Sequence, residues 1–278
     1  MDSAIDTPTA SLVAVTFGIV RTETLGWGSA GVLGPLASGL LLLAAFLVVE
    51  ARFARQPLVP LSIFRIGNLR VANLIVILLY ASVFPTWFFL TLYLQQVLHY
   101  DAIAAGFGFL PMTLSVFAGS TLAPRVVGRF GTRRVITAGM LCAGAGLLLL
   151  AGVAPGGTYV NAVLAGALLS AIGMGFSLVP STIVAMQGVP ANESGLASGL
   201  LNTSRLVGGA LGLAVLGTIA ATETRSEVGV SAAQALSDGF DLAFAIGALF
   251  CLAGALLALT RLRASRGLAR RIRAVDAR

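Results

Sequence analysis

The sequence predicts an all-α, polytopic transmembrane helical bundle of about eight spans, and three observations predict it. Composition is the first: 57% of residues are hydrophobic, 10% are charged, and the mean hydropathy is +0.95. A soluble domain carries about 25% charged residues, so this chain cannot build a water-facing surface and needs the bilayer as its solvent. The second is continuity. Apolar residues come in runs of about 20, the length of a membrane helix. Stretches such as Leu40-Leu41-Leu42-Leu43 do not alternate as lipid-facing barrel strands must. The third is charge placement: fifteen of the eighteen arginines fall on one side of an alternating eight-span arrangement.

The spans follow in order. The first, 4–20, is short and weak; Met1 opens almost inside it, with Asp6 and Pro8 in its first turns. The second, 31–49, holds the leucine run and ends at Glu50. A basic connection over 51–70 carries Arg52, Arg55, Arg65 and Arg70. The third span is 71–94 and the fourth 104–123. A loop over 124–134 follows, with Arg125, Arg129, Arg133 and Arg134. The fifth, sixth and seventh are 135–153, 159–185 and 196–221. The connection 222–239 contains Glu223, Arg225, Glu227 and Asp238. The eighth span is 240–260, with Asp241 at its start, where the helix dipole favours an anion. The tail, 261–278, has seven arginines. Only Arg21 and Arg225 fall on the opposite side, so the arginine-rich loops and both termini are expected in the cytoplasm.

Several function classes drop out. A net charge of +7 suggests nucleic acid, but the arginines sit in short connections between apolar runs, where they orient spans. Cys142 and Cys251 lie in apolar segments and read as packed thiols. His99 is the single histidine and has no second ligand type nearby, so a metal site is not expected. No phosphate-binding glycine loop appears, and no catalytic cluster, so the chain is not read as an enzyme. No acid lies deep in any of the spans as drawn.

Polar groups inside spans are costly and therefore informative. Ser198, Asn202, Arg205, Gly209 and Gly212 recur at helical spacing and form one polar-and-small stripe. Either Arg205 and Asn202 meet an anionic substrate group or gate, or Arg205 snorkels and ties neighbouring carbonyls together. The third span sets Asn73, Tyr80, Phe84, Trp87 and Thr91 on one aromatic stripe, with Gln95 beyond. That surface suits a planar amphipathic or cationic ligand. Ordinary packing is the alternative, and Pro85 can kink this helix. Gly166, Ser170, Gly173, Ser177 and Pro180 read as a close helix contact, and Gly195xxxGly199 and Gly208xxxGly212 are packing spacings.

Particular strings then resemble a family. Residues 87–98, WFFLTLYLQQVL, and 105–111, AGFGFLP, are similar to the first helices of the C-terminal bundle in fourteen-helix drug:proton antiporters of the major facilitator superfamily. Residues 122–134, LAPRVVGRFGTRR, resemble the family's short basic loop, with Gly131 turning the chain and Arg125, Arg129, Arg133 and Arg134 holding it in the cytoplasm. The most specific likeness is 195–205, GLASGLLNTSR, continued by VGGALG over 207–212. His99 and Asp101 depart from the small or neutral residues usual at that turn.

The resemblance implies that 1–50 are two linker helices and 71–260 the six-helix C-terminal bundle. It implies proton-coupled efflux of amphipathic small molecules by alternating access, with the proton gradient in place of any cofactor. Asn73, Tyr80, Trp87, Thr91, Asn202 and Arg205 are the candidate lining residues. It also places the proton-coupling acid in an N-terminal bundle outside this chain. A second expectation follows, that the chain by itself is a non-transporting fragment or a half-carrier that needs a separate bundle or self-association. The expected location is the cell membrane.

Overall fold

A computed structural model of the chain describes residues 66–152, 157–227 and 229–262, together with parts of 29–42. The chain divides into two compact units, Met1–Ser62 and Ile63–Arg278. In the first, the described residues between 31 and 42 are helical, within the expected second span. The expected first span, most of the 51–70 connection and the tail beyond Leu262 lie outside the described residues.

The second unit is built of helices. α1 (Gly67–Leu92) runs on through a π-helical turn, Tyr93–Val97. His99, at φ 55°, turns the chain, and Asp101 caps α2 (Ala102–Gly108) by accepting from the Ala104 amide at 2.6 Å. Phe109 breaks the helix, and α3 (Leu110–Phe130) carries the same span onward. The Tyr159 hydroxyl donates to the Gly108 carbonyl at 2.6 Å and satisfies a group freed at that break. Next come α4 (Thr132–Leu150), a π-helical stretch Tyr159–Leu164 that leads into α5 (Ala165–Met186), α6 (Ser194–Ser226) and α7 (Ala232–Arg261).

Six of these segments, among the described residues, are long and apolar enough to cross a membrane. Several of their serines and threonines are satisfied within their own helix, whereas the buried Ser181 hydroxyl has no partner. Ser170, Ser177 and Thr86 donate to carbonyls three or four residues back, so they enter an apolar medium without an orphan hydroxyl. On α7, Leu249, Leu252, Leu256 and Leu259 form one exposed stripe. An apolar stripe of that length is expected to face lipid.

The core sits where α1 and α7 meet α4 and α6. Phe89 is buried between the rings of Phe240 and Phe244, with centroids 5.4 and 6.0 Å away. Cys251 is fully buried, its Sγ 3.1 Å from the Ser82 hydroxyl, as expected of a packed thiol. α5 lies against both α3 and α4, whereas α3 and α4, although consecutive, touch little.

Three boundaries correct the sequence reading. The loop expected over 124–134 is a single residue: α3 runs through Pro124 to Phe130, Gly131 turns at φ 82° and ψ 154°, and α4 starts at Thr132. That backbone region is open essentially to glycine alone. The 222–239 connection is mostly helical, since α6 continues to Ser226 and α7 starts at Ala232 with Ser231 as its cap. Asp241 therefore lies nearly three turns inside α7 and does not open it. Hydropathy marks only the apolar middle of a helix, while polar end turns such as Thr222 to Thr224 remain helical, their hydroxyls donating to the Thr218 and Ala220 carbonyls one turn back.

Candidate functional site

α1 and α6 run parallel and in close contact, and glycine permits it. Replacing the hydrogen of Gly208 by a methyl would put it 2.5 Å from the Ile77 carbonyl oxygen, and Gly212 lies directly against Ala81. Pro85 has no amide hydrogen to offer the Ala81 carbonyl, so the helix is open where Gly212 approaches. One bond locks the register. The Ser204 hydroxyl donates to Asn73 Oδ1 at 2.6 Å, while Asn73 Nδ2 donates to the Leu69 carbonyl at 2.8 Å. Asn73 thus lies buried with both ends of its amide engaged, as a tether between the two helices. It also walls a cleft of about 280 Å³ shared by Arg70, Leu74, Ile77, Leu200, Thr203 and Val207.

The pairs Asn73–Ser204, Ile77–Gly208 and Ala81–Gly212 advance together by four residues. This register sets Arg205 level with Leu74 and separates the six candidates into two groups. Asn202, Arg205, Asn73 and, further along, Tyr80 belong to the end where the helices begin; Tyr80 stays within electrostatic reach of Arg205. Trp87 and Thr91 lie toward the other end. Thirteen residues at 1.5 Å each put Trp87 about 20 Å from the level of Arg205. Trp87 stacks on Phe109, with centroids 6.1 Å apart, and Thr91 donates to the Trp87 carbonyl at 2.8 Å. The aromatic stripe and the guanidinium are therefore not walls of one small pocket.

Arg205 has the least complete surroundings. Its Nη2 donates to Thr182 Oγ1 on α5 at 3.3 Å, and its Nε is buried without a hydrogen-bond partner. No carboxylate pairs with it among the described residues. A guanidinium has five donors, and an unmet buried donor costs about 1–3 kcal/mol. The site therefore favours an incoming acceptor or anion. Around it α6 is open: Ser198, Asn202, Thr203 and Leu206 are exposed, and nothing lies within 4 Å of a methyl placed on Gly195 or Gly199. Gly208xxxGly212 is thus a packing motif within this chain, and Gly195xxxGly199 has no neighbour among the described residues.

The basic motif is divided between two helix ends. Arg125 and Arg129 are exposed on the last turns of α3, with Arg129 5.4 Å from the centre of the Phe130 ring. Arg133 and Arg134 stand in the first turn of α4. No group of histidine, cysteine and acid side chains able to hold a metal occurs among the described residues.

Sequence reading missed three partners. Thr182 holds Arg205, Ser204 holds Asn73, and Asp241 lies within a span, within electrostatic reach of the Tyr93 phenol. Ser204 was next to a residue already singled out. Thr182 carried no signal, because pairing between α5 and α6 depends on their rotation.

Six apolar segments, packed through small residues and presenting an incompletely paired guanidinium on an open face, define a polytopic helical membrane bundle. The chain belongs to the Major Facilitator Superfamily, whose family model matches residues 7–213. It is 42% identical over 217 residues to the cephamycin export protein CmcT of Amycolatopsis lactamdurans, covering 78% of this chain and 45% of that protein. The puromycin resistance protein pur8 of Streptomyces alboniger is 34% identical over 249 residues, 86% of this chain and 49% of the relative. The tetracenomycin C resistance and export protein of Streptomyces glaucescens is 33% identical over 216 residues, 76% and 39% respectively. The chain thus spans somewhat less than half the length of these relatives.

Proposed function

We propose that this chain forms one bundle of an efflux antiporter that exports amphipathic small molecules, antibiotics among them, in exchange for protons. The open face of α6 around Arg205 carries the reading. A guanidinium with an unmet buried donor, flanked by exposed small and polar residues, suits the seam against which a second bundle rocks. The export and resistance relatives support the substrate class. The arginine-rich helix ends and both termini face the cytoplasm in this proposal. Asp241, the described acid furthest from a helix end, is the group among the described residues best placed to take part in proton handling.

The test is to co-express the chain with the N-terminal half of the cephamycin exporter and to follow ethidium or antibiotic accumulation in cells. Lowered accumulation that Arg205→Ala abolishes at equal membrane expression is the expected result. Accumulation identical to that of cells without the chain sinks the proposal. A second reading, a half-carrier that acts only with a separately made bundle or a second copy, draws on the unpartnered Gly195xxxGly199 face. A purified lone chain that drives proton-coupled uptake as a monomer in liposomes would remove it.

A further inference from the structure

We propose that the cleft enclosed by α3, α4 and α5 binds an anionic phospholipid, its headgroup phosphate on Arg134 and an acyl chain along the apolar floor. The cleft measures about 420 Å³. It exists because α3 and α4 splay apart from the one-residue turn at Gly131 while α5 closes the back. Gly119 and Gly139 let α5 come that close: an added methyl would lie 2.9 Å from the Ile172 carbonyl oxygen or the Phe176 carbonyl carbon.

Polarity is confined to one end. Val126, Phe130, Ala138 and Phe176 line the walls, and the Cys142 thiol already donates to the Leu169 carbonyl at 3.3 Å. Arg134 is the one charged group in the lining, and it is exposed at the mouth. Beyond it Ala138, Leu141, Ala145 and Leu148 continue at intervals of three and four as an exposed apolar stripe over most of α4. An acyl chain lying parallel to the helix meets that stripe; a water-soluble ligand does not.

Charge complementarity selects the headgroup. Arg133 and Arg134 occupy the first turn of a helix, where the backbone dipole disfavours cations. Their presence calls for an anion near the helix start, and no acid side chain pairs with Arg134 among the described residues. Arg129 lies against the Phe130 ring, which leaves Arg134 to meet the phosphate. Basic pockets between membrane helices recognise phospholipid headgroups in this way.

The test uses the full chain in vesicles, with Trp27 and Trp87 changed to Phe and Leu141→Trp as the reporter beside the cleft. Dibrominated phosphatidylglycerol and dibrominated phosphatidylcholine are compared as quenchers. The anionic phosphatidylglycerol should bind about fivefold more strongly, as one arginine near a lipid surface implies. Arg134→Gln should bring the ratio to about one and Arg134→Lys should largely keep it. Ala138→Phe, which fills the cleft at constant charge, should lower it as well, and it serves if Arg134→Gln fails to fold. Equal quenching by the two lipids in the unaltered cleft overturns the proposal. So does an equal loss in Arg70→Gln, which removes a charge from the same end of the bundle but not from this cleft.

Discussion

The seam between α4 and α5 and the first half of α6 are written in the same small residues and stand in opposite surroundings. In the seam, Gly146 and Gly166 face each other's backbones and Gly173 sits against Gly139 and Ala143, so a side chain at any of these positions would enter the neighbouring helix. On α6, Gly195 and Gly199 meet nothing among the described residues. Small residues spaced by four record a capacity for close approach; they do not record which helix approaches. In the seam that capacity is used to hold the bundle together. On α6 it is left open, beside a guanidinium whose Nε lacks a partner.

The largest expected effect breaks the seam. Gly173→Leu forces a branched side chain into the Gly139 carbonyl and the Ala143 amide. Overpacking of this kind costs about 1–3 kcal/mol and more where backbone blocks relaxation. Loss of the protease-resistant bundle in detergent, followed by circular dichroism and limited trypsin digestion, is the expected outcome; a native-like melting curve would show that the two helices are not in register as described.

The next tests the open side. In a transport-competent assembly, Arg205→Ala should lower export about 10–100-fold, since a hydrogen bond to a charged group contributes about 1.5–3 kcal/mol. The bundle's melting temperature should barely change, and Arg205→Lys should restore part of the export. If the melting temperature falls as sharply as export, Arg205 belongs with the structural seam and not with the open face.

A smaller effect sharpens the boundary between the two regions. Asn73→Ala and Ser204→Ala, singly and together, measure the tether between α1 and α6. A coupling of about 0.6 kcal/mol, and at most about 1.7, is expected for a hydrogen bond within a membrane bundle. Additive losses would mean that glycine contacts alone hold that pair. The smallest effect closes the series: Gly199→Leu should change the stability of the lone chain by no more than about 0.5 kcal/mol, since the side chain points into open space. The same change should impair export once a second bundle covers the face.

Much of the bundle was legible in the sequence. The six spans and the α5 glycine–serine stripe could be read because lipid imposes length, hydropathy and helical period together. The turn at Gly131 was legible through the resemblance of 122–134 to a family loop, but its extent was not: a loop over 124–134 was expected where a single residue turns the chain. Boundaries were less legible: Asp241 was placed at a helix start because its apolar run begins there, although the helix starts nine residues earlier. The candidate site was legible residue by residue but not as an arrangement. Asn73 and Trp87 share a stripe on α1, yet one is bonded to Ser204 and the other stacks on Phe109 toward the far end. Levels along neighbouring helices depend on which glycine meets which carbonyl, and one strand of sequence contains no statement of that pairing.

The one-residue turn at Gly131 also bears on how the protein is made. α3 and α4, with 21 and 19 residues, are each about 30 Å long, the thickness of the hydrocarbon they must cross. With no slack between them, the two helices are expected to insert as one hairpin rather than as two separate spans. Its tip carries Arg125, Arg129, Arg133 and Arg134, so in the proposed orientation the tip stays on the side of synthesis and the hairpin fixes the direction in which the following spans are threaded.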